Sequence, residues 1–207
     1  MNTDKPLVLY GGTFDPPHLG HKKIAQFVIE NVPYEKMFIV PSFSPPHKFE
    51  QKTTPFEYRL NMLRMLFQNG DLPNVEISPM EKELPEPSYT WRTLEYMETK
   101  YPGRAIYVVV GNDMYSQLST WENYALLREK YNFIVLDRSL GNPEKSRNTN
   151  DIFLENPRWN TSSQSIRAAY NEYYHTQNLP EIIKKWIPPA IHEYICNYHL
   201  YKVNNKG

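Results

Sequence analysis

The sequence predicts an α/β fold in which a parallel sheet is covered by helices on both faces. Short apolar runs bounded by turn residues alternate with longer segments of helical periodicity. Several of the short runs are apolar at nearly every position, which is typical of strands buried on both faces. Alternation of this kind favours parallel strands joined by right-handed crossovers, with ligands bound at the carboxyl ends of the strands.

Five short apolar segments are predicted to form the strands of this sheet. In chain order they are Leu7–Tyr10, Met37–Val40, Val75–Ile77, Ala105–Val110 and Phe133–Leu136. A shorter sixth strand is predicted near Asp151–Leu154. The polar stretch before it, residues 139–150, is expected to be an exposed loop.

Apolar residues at helical spacing mark the connections between these strands. The first two repeats are formed by Ile24, Phe27 and Val28, and by Phe56, Leu60, Leu63 and Phe67. Ser88 is a candidate N-cap for a third helix that runs to about Tyr101. Two further helical segments are expected near the C-terminal end.

Length and composition indicate a single domain over residues 1–207. The chain has 207 residues, of which 40% are hydrophobic and 22% are charged, as in an ordinary globular protein. A chain of this length can bury roughly 70% of its unfolded surface, which is enough for one core. We expect the sheet at about 7–137, and a phosphate-binding turn with C-terminal helices at about 151–201.

The charge balance argues against functions that depend on bulk electrostatics. Lys and Arg number 23, Asp and Glu also number 23, and no block of about five like charges occurs. Proteins that bind nucleic acid or membrane surfaces normally carry a basic excess, so neither partner is expected. The single Cys196 cannot form an intramolecular disulfide, and no apolar stretch reaches the ~18 residues of a membrane span, so we expect a cytoplasmic protein.

The most informative motif follows the first strand and reads Gly11-Gly12-Thr13-Phe14-Asp15-Pro16-Pro17-His18-Leu19-Gly20-His21. The first two glycines allow a tight turn and a close approach of the backbone to a ligand. A helix that begins here directs free N–H groups and the positive end of its dipole at that ligand. His18 and His21 share one helix face, where both imidazoles can donate hydrogen bonds, and Gly20 removes a side chain from between them. The motif predicts a bound phosphate.

The motif His18-Leu19-Gly20-His21 resembles the H-x-G-H signature of the nucleotidylyltransferase superfamily. Further segments narrow the resemblance, namely Ser44-Pro45-Pro46-His47-Lys48, Pro87-Ser88-Tyr89-Thr90, Gly111-Asn112-Asp113, Thr120-Trp121 and Thr161-Ser162-Ser163-Gln164-Ser165-Ile166-Arg167. In this order, over about residues 7–170, they resemble the bacterial nicotinate-nucleotide adenylyltransferase family. The resemblance implies a Rossmann-like parallel sheet of the nucleotidylyltransferase type with a short helical C-terminal region.

The resemblance also implies a role for each matching residue. The implied catalytic residues are His18, His21, Lys48 and Arg167. The implied ATP-binding residues are Gly11, Gly12, Thr13, Phe14, His18, His21, Gly111, Asp113, Ser162, Ser163 and Arg167. The implied residues for nicotinate mononucleotide are His47, Lys48, Thr90 and Trp121. Thr161 and Gln164 depart from the family pattern I-S-S-T-x-I-R, so Gln164 is not carried over.

These residue types suit the implied roles, although each also has a structural use. Hydroxyls and a guanidinium at a helix start can hold a triphosphate, and Lys48 can neutralise a phosphate. The indole of Trp121 can stack on a cationic pyridine ring. The structural alternatives are a serine N-cap, a solvated loop lysine, a packed tryptophan and, for Asp113, a helix N-cap.

The implied reaction joins nicotinate mononucleotide to ATP, giving nicotinate adenine dinucleotide and pyrophosphate in NAD biosynthesis. Mg²⁺ is expected to bind through the ATP phosphates, because two histidines three residues apart form a weak metal motif. Nicotinamide mononucleotide, alone or beside the acid, is the nearest alternative substrate. A non-catalytic nucleotide-binding protein on the same fold is another alternative. The aromatic segment 186–201 could pack as a terminal helix or supply a surface for a homo-oligomer.

Overall fold

Six parallel strands form one sheet in the order β3-β2-β1-β4-β5-β6. The structure is a computed structural model that describes residues 5–46, 53–68, 70–137, 150–157, 159 and 161–202. The strands are β1 (Leu7–Gly12), β2 (Lys36–Pro41), β3 (Val75–Ile77), β4 (Ile106–Gly111), β5 (Asn132–Asp137) and β6 (Ile152–Glu155). The predicted parallel sheet is therefore confirmed, including its short sixth strand.

The helices lie between and after these strands. They are α1 (Leu19–Asn31), α2 (Phe56–Leu66), α3 (Thr90–Lys100), α4 (Asn112–Ser116), α5 (Tyr124–Lys130), α6 (Ser163–Thr176), α7 (Glu181–Lys184) and α8 (Pro189–Asn197). Two 3₁₀ turns, Met80–Glu83 and Leu118–Thr120, precede α3 and α5.

Strand β1 lies at the centre of the sheet and pairs with β2 on one side and β4 on the other. Leu7 is in register with Lys36 of β2 and with Ile106 of β4. The chain leaves β1 toward one side of the sheet and leaves β4 toward the other, so a crevice opens beyond their carboxyl ends. Open α/β sheets bind their ligands at such a switch point.

Both faces of the sheet are buried, which explains why the strands are apolar throughout. Successive residues of β1 point to opposite faces. Val8 and Tyr10 pack into one core cluster with α1, α2 and the C-terminal helices. Leu7 and Leu9 pack into the other cluster with α3 and α5. All four side chains are at most 7% exposed.

The C-terminal helices pack against the first half of the chain. The Nδ2 atom of Asn61 in α2 donates a hydrogen bond to the hydroxyl of Tyr194 in α8 at 3.1 Å. The backbone N–H of Leu19, the first residue of α1, donates to the carbonyl of Trp186 at 2.9 Å. The C-terminal region is therefore part of the scaffold that holds the start of α1.

Two details of the sequence prediction are wrong. Ser88 does not cap α3, because Tyr89 occupies the N-cap position and the Ser88 hydroxyl accepts the backbone N–H of Ser44 at 2.9 Å. The C-terminal region has three helices rather than two, since the four-residue α7 lies between α6 and α8. The predicted loop at 139–150 lies outside the described residues, apart from Asn150. Within the described ranges, no helix combines the length and the apolar character needed to cross a membrane.

Candidate active site

A cleft of about 770 Å³ opens at the carboxyl ends of β1 and β4. Its floor is formed by the last residues of β1 and β4, including Gly11, Gly12 and Gly111. His21 and Ile24 of α1 line one wall. The volume lies within the usual range for small-molecule sites, and the position is the one that the parallel sheet predicts.

The loop between β1 and α1 turns around a packed phenylalanine. Phe14 is 3% exposed and adopts a positive φ of 50°. Its ring packs edge-on against Tyr10 and against His21, with centroids 5.5 Å and 5.0 Å apart. A Cβ atom at Gly12 would lie 3.0 Å from the Phe14 ring, so a side chain at this position would crowd the ring. The side chain of Phe14 therefore serves the loop and does not line the cleft.

The two histidines stack at the start of α1. Their ring centroids are 3.7 Å apart and their planes differ by 26°. The Nδ1 atom of His21 accepts the backbone N–H of His18 at 3.1 Å. A Cβ atom at Gly20 would lie 2.8 Å from the Nδ1 atom of His18 and 2.9 Å from Thr161, so the stack requires a glycine there. His21 lines the cleft, whereas His18 is buried beside it and is not a lining residue.

The environment of His21 keeps its imidazole neutral. Burial lowers the pKa of His21 well below its ordinary value, and the neighbouring His18 lowers it further. Because Nδ1 accepts a hydrogen bond, the proton of the neutral ring is on Nε2. His21 is thus a hydrogen-bond donor at the cleft that does not depend on imidazole protonation near neutral pH.

Asp15 joins three separate segments of the chain to the first loop. One carboxylate oxygen accepts the backbone N–H of Thr54 at 3.1 Å, and the other accepts the hydroxyl of Tyr201 at 2.9 Å. Its backbone carbonyl accepts a hydrogen bond from Arg167 at 2.7 Å. Asp15 is 3% exposed and does not line the cleft. Its side chain shapes the loop.

Arg59 of α2 holds the same loop through side-chain hydrogen bonds. Its guanidinium donates to the carbonyl of Thr13 at 2.7 Å and, through Nε, to the carbonyl of Thr54 at 2.7 Å. Arg59 is 1% exposed. Burial lowers the pKa of its guanidinium, and the negative charge of Asp15 counteracts part of this lowering. The sequence does not reveal this role, because an arginine inside an amphipathic helix gives no local signal of burial.

The start of α6 contacts the first loop as well. Ser162 caps the helix by accepting the N–H of Ser165 at 3.1 Å. The hydroxyl of Ser163 donates to the carbonyl of Pro16 at 2.9 Å, and Arg167 donates to the carbonyl of Asp15. The segment predicted to hold a triphosphate thus lies against the loop before α1, but none of these three residues lines the cleft.

A buried carboxylate joins two further segments of the chain at the cleft. Glu81 accepts the hydroxyl of Thr93 at 2.9 Å and the backbone N–H of Phe43 at 3.1 Å. It is 7% exposed and lines the cleft. Burial raises the pKa of its carboxyl, against the lowering effect of hydrogen bonds that include one from Ser88. This network fixes the segment after β2 to the segment before α3.

Three further residues of the resemblance line the cleft. Thr90 is the first residue of α3, where backbone N–H groups lack helical partners, and it lines the cleft. Trp121 follows the 3₁₀ turn after α4 and also lines the cleft. Asp113 lies in the first turn of α4, and a Cβ atom at Gly111 would come within 2.5 Å of its Oδ1 atom. Gly111 therefore makes room for the Asp113 side chain.

The residues predicted from the sequence thus fall into three groups. The structure brings together at the cleft Gly11, Gly12, Thr13, His21, Thr90, Gly111, Asp113 and Trp121. Five others do not line the cleft: Phe14 and His18 belong to the first loop, and Ser162, Ser163 and Arg167 lie at the start of α6, which contacts that loop through Ser163 and Arg167. His47 and Lys48 lie outside the described residues.

The cleft also contains residues that the sequence analysis misses, among them Glu81 and Asn156. Glu81 stands in a charged stretch, Met80–Glu83, that has the composition of an exposed turn. Asn156 directly follows β6. A polar residue at the carboxyl end of a predicted strand is the signal that could have identified it as a cleft residue. Among the described residues, no group of three His, Cys, Asp or Glu side chains could hold a metal ion.

Comparison with known proteins places these features in a family. The cytidylyltransferase-like family matches residues 9–169. A "probable nicotinate-nucleotide adenylyltransferase" of Lactiplantibacillus plantarum is 31% identical over 197 residues, covering 95% of this chain and 88% of the relative. A protein of the same name from Endomicrobium trichonymphae is 32% identical over 200 residues, covering 95% and 98%.

Solved structures show the same fold. Nicotinic acid mononucleotide adenylyltransferase of Plasmodium falciparum complexed with NaAD has a TM-score of 0.81 at 21% identity, over 97% of this chain and 98% of that chain. The same enzyme complexed with APC has a TM-score of 0.80 at 21% identity, with the same coverage. At this identity, the likeness concerns the arrangement of the sheet and helices.

Proposed function

This chain belongs to the cytidylyltransferase-like family, among the nicotinate-nucleotide adenylyltransferases, and we propose that its cleft joins ATP to nicotinate mononucleotide. The products are nicotinate adenine dinucleotide and pyrophosphate, in NAD biosynthesis. The observation that carries the proposal is the neutral His21 at the start of α1, which lines the cleft at the switch point of the sheet.

The reaction is a direct displacement at phosphorus. A phosphate oxygen of nicotinate mononucleotide attacks the α-phosphorus of ATP, and the bond from that phosphorus to the bridging β-phosphate oxygen breaks. The electron pair of the broken bond leaves with pyrophosphate. The attacking phosphate is already ionised at neutral pH, so the step requires no general base. Catalysis then consists of holding two anions in line and stabilising the charge that develops on oxygen.

His21 and the start of α1 stabilise this charge. The Nε2–H of a neutral imidazole donates to a phosphate oxygen without requiring ring protonation. The N–H groups of Leu19 and His21 bind the carbonyls of Trp186 and His18, so the helix start contributes mainly its partial positive charge. His18 stacks on His21 and holds its Nδ1 through the backbone, so we assign His18 the task of orienting the donor.

Arg167, Ser162 and Ser163 would hold the triphosphate from the start of α6. One N–H group of the Arg167 guanidinium binds the carbonyl of Asp15, and a guanidinium has five such groups. The remaining donors can reach a phosphate that enters beside the first loop. ATP would bind as its Mg²⁺ complex, with the ion keeping several waters and few protein ligands.

The nicotinate ring is assigned to the end of the cleft near Glu81. The first N–H groups of α3, at Thr90, can bind its carboxylate, and the indole of Trp121 can stack on the cationic ring. We further propose a cytoplasmic location, supported by a single cysteine, which cannot form an intramolecular disulfide.

Product identity tests the proposed function. The purified protein is incubated with ATP, Mg²⁺ and nicotinate mononucleotide, and products are quantified by mass spectrometry and by a pyrophosphate assay. We expect nicotinate adenine dinucleotide and pyrophosphate in equal amounts, and neither product when the mononucleotide is omitted. Formation of ADP or free AMP without the dinucleotide would refute the reaction. Tight ATP binding without any product would instead support a non-catalytic nucleotide-binding protein.

A further inference from the structure

Asn156 lines the cleft and carries a buried side-chain acceptor atom. It follows β6, is 5% exposed and is among the residues that line the cleft. Its side-chain Nδ2 donates to the carbonyl of Pro157 at 3.1 Å. Its Oδ1 atom is buried and has no hydrogen-bond partner among the described residues. Leaving a buried carbonyl oxygen unsatisfied is costly, so a ligand that donates to it gains affinity.

The orientation of this amide is set by its neighbours. A backbone carbonyl can only accept, so the NH₂ end of Asn156 must face Pro157 and the oxygen must face away. The backbone N–H of Asn156 donates to the carbonyl of Asp137, the last residue of β5, at 3.1 Å. The residue is therefore fixed at the end of the sheet as an acceptor.

The topology places Asn156 at the end of the cleft opposite to Glu81 and Thr90. Asn156 follows β6 and its neighbour Leu136 belongs to β5, on one side of the switch point. Glu81 and Thr90 follow β3, on the other side. A dinucleotide bound across the switch point places its two nucleosides in opposite halves of the crevice. If the nicotinate ring lies near Thr90, the base of ATP lies near Asn156.

The lining of the cleft suits a flat base. Ile24 of α1 and Leu136 of β5 contribute apolar surface to the same cleft, and Asn156 adds a single acceptor. Adenine carries an amino group at its 6-position, which is a donor. The 6-oxo purines, hypoxanthine and guanine, carry an acceptor at that position.

We propose that the Oδ1 atom of Asn156 accepts a hydrogen bond from the exocyclic amine of the ATP base and so selects 6-amino over 6-oxo purines. This inference rests on the proposed function, because it takes ATP as the adenylyl donor. With a 6-oxo purine, two oxygens would face each other and the buried acceptor would stay unsatisfied. Sites built for a hydrogen bond reject the mismatched analogue strongly.

Nucleotide selectivity tests the proposal. kcat/KM is measured with ATP, with ITP and with the triphosphate of purine riboside, which lacks a 6-substituent. We expect wild type to prefer ATP over either analogue by about 10²-fold. Asn156→Leu, a variant of similar size, should reduce the preference for ATP over ITP to within about fivefold, since it removes both the attraction and the repulsion. Asn156→Ala provides a second variant if the leucine form folds poorly.

Asn61→Leu is the matched control. It removes a side-chain amide that bonds Tyr194, away from the cleft, and should leave the ATP to ITP ratio at the wild-type value. Wild-type ratios within threefold of unity would overturn the proposal. Equal losses for ATP and ITP in Asn156→Leu would also overturn it, because that result indicates a contact to ribose rather than to the base.

Calorimetric binding separates this proposal from the proposed function. Dissociation constants for ATP and ITP are measured without mononucleotide, so they do not depend on turnover. A strong preference for ATP in a protein that forms no dinucleotide would leave the role of Asn156 intact and refute the reaction. If the protein forms the dinucleotide but binds ATP and ITP equally well, the reaction is supported and the role of Asn156 is refuted.

Discussion

The Nδ1 atom of His21 accepts a hydrogen bond from the backbone N–H of His18 at 3.1 Å, while the two imidazoles stack with centroids 3.7 Å apart. This pairing assigns different tasks to two residues that look equivalent in the sequence. His21 lines the cleft with its Nε2–H available as a donor, whereas His18 is buried beside it. Under the proposed function, His21 has the chemical role and His18 the orienting role.

His21→Ala removes the donor at the cleft. We expect kcat to fall by at least ~10²-fold, because the loss of one donor to a developing charge typically has that effect. Steady-state rates and thermal melting are measured together, with His175→Ala, an exposed histidine of α6, as the control. A rate within threefold of wild type in a variant with an unchanged melt would contradict the role of His21.

Arg167→Lys keeps the charge but loses the planar fork that binds Asp15 and, as proposed, the triphosphate. We expect kcat/KM for ATP to fall by roughly tenfold or more, with little change in the affinity for mononucleotide. Each substrate is titrated separately, and Arg64→Lys on the exposed surface of α2 is the control. A loss confined to the mononucleotide, or equal for both substrates, would argue against a triphosphate clamp.

Two glycines of the motif have different reasons to be glycine. A Cβ atom at Gly20 would lie 2.8 Å from His18, so Gly20→Ala should lower the free energy of unfolding by about 1 to 3 kcal/mol. A Cβ atom at Gly11 would have no neighbouring atom within 4 Å, and it would border the cleft. Gly11→Ala should therefore melt like wild type and bind ATP more weakly. Denaturant titration and calorimetry test both variants; equal melting of the two would be inconsistent with the stacked histidines.

Glu81→Gln tests the buried carboxyl at the end of the cleft to which the nicotinate ring is assigned in the proposed function. Burial raises the pKa of Glu81, so between its ordinary and its raised pKa the folded chain retains a proton that the unfolded chain has released. The contribution of Glu81 to the free energy of unfolding is complete below the ordinary pKa and declines as pH rises through that interval. Glutamine does not titrate. The difference between the melting temperature of wild type and that of Glu81→Gln should therefore decrease as pH rises above about 4, the ordinary pKa of a glutamate carboxyl.

The exposed Glu86→Gln variant provides the matched control for this titration. Its melting temperature relative to wild type should show no comparable fall over the same range. A wild-type advantage over Glu81→Gln that grows with pH would mean that the ionised carboxylate is favoured in the folded chain. The sign of the pKa change at Glu81 would then be wrong.

Local patterns predict the sheet well because each strand is recognisable from its own residues. Strand β3 is found where it is predicted, at Val75–Ile77, and β1 extends the predicted Leu7–Tyr10 by two residues to Gly12. Burial on both faces makes these runs apolar throughout, so a short window of sequence is enough. The helix start after the first strand is identifiable for the same reason, since the glycines and histidines are adjacent.

Contacts between distant segments are what local patterns do not predict. Ser88 has the composition of an N-cap, but its hydroxyl bonds Ser44, 44 residues earlier. Arg167 reaches the carbonyl of Asp15, which lies 152 residues away in sequence. Glu81 is buried only because Phe43 and Thr93 converge on it from other elements. Such partners become apparent only when the sheet brings their segments together.

The preference for acid over amide tests the central assignment most directly. Thr90 begins α3, where free N–H groups can bind a carboxylate but would face the NH₂ of a carboxamide unpaired. kcat/KM is measured at saturating ATP with nicotinate mononucleotide and with nicotinamide mononucleotide in one pyrophosphate-release assay. A preference for the acid of about 10²-fold or more is the result that this site predicts. Equal efficiency with the two mononucleotides, or a preference for the amide, would contradict it.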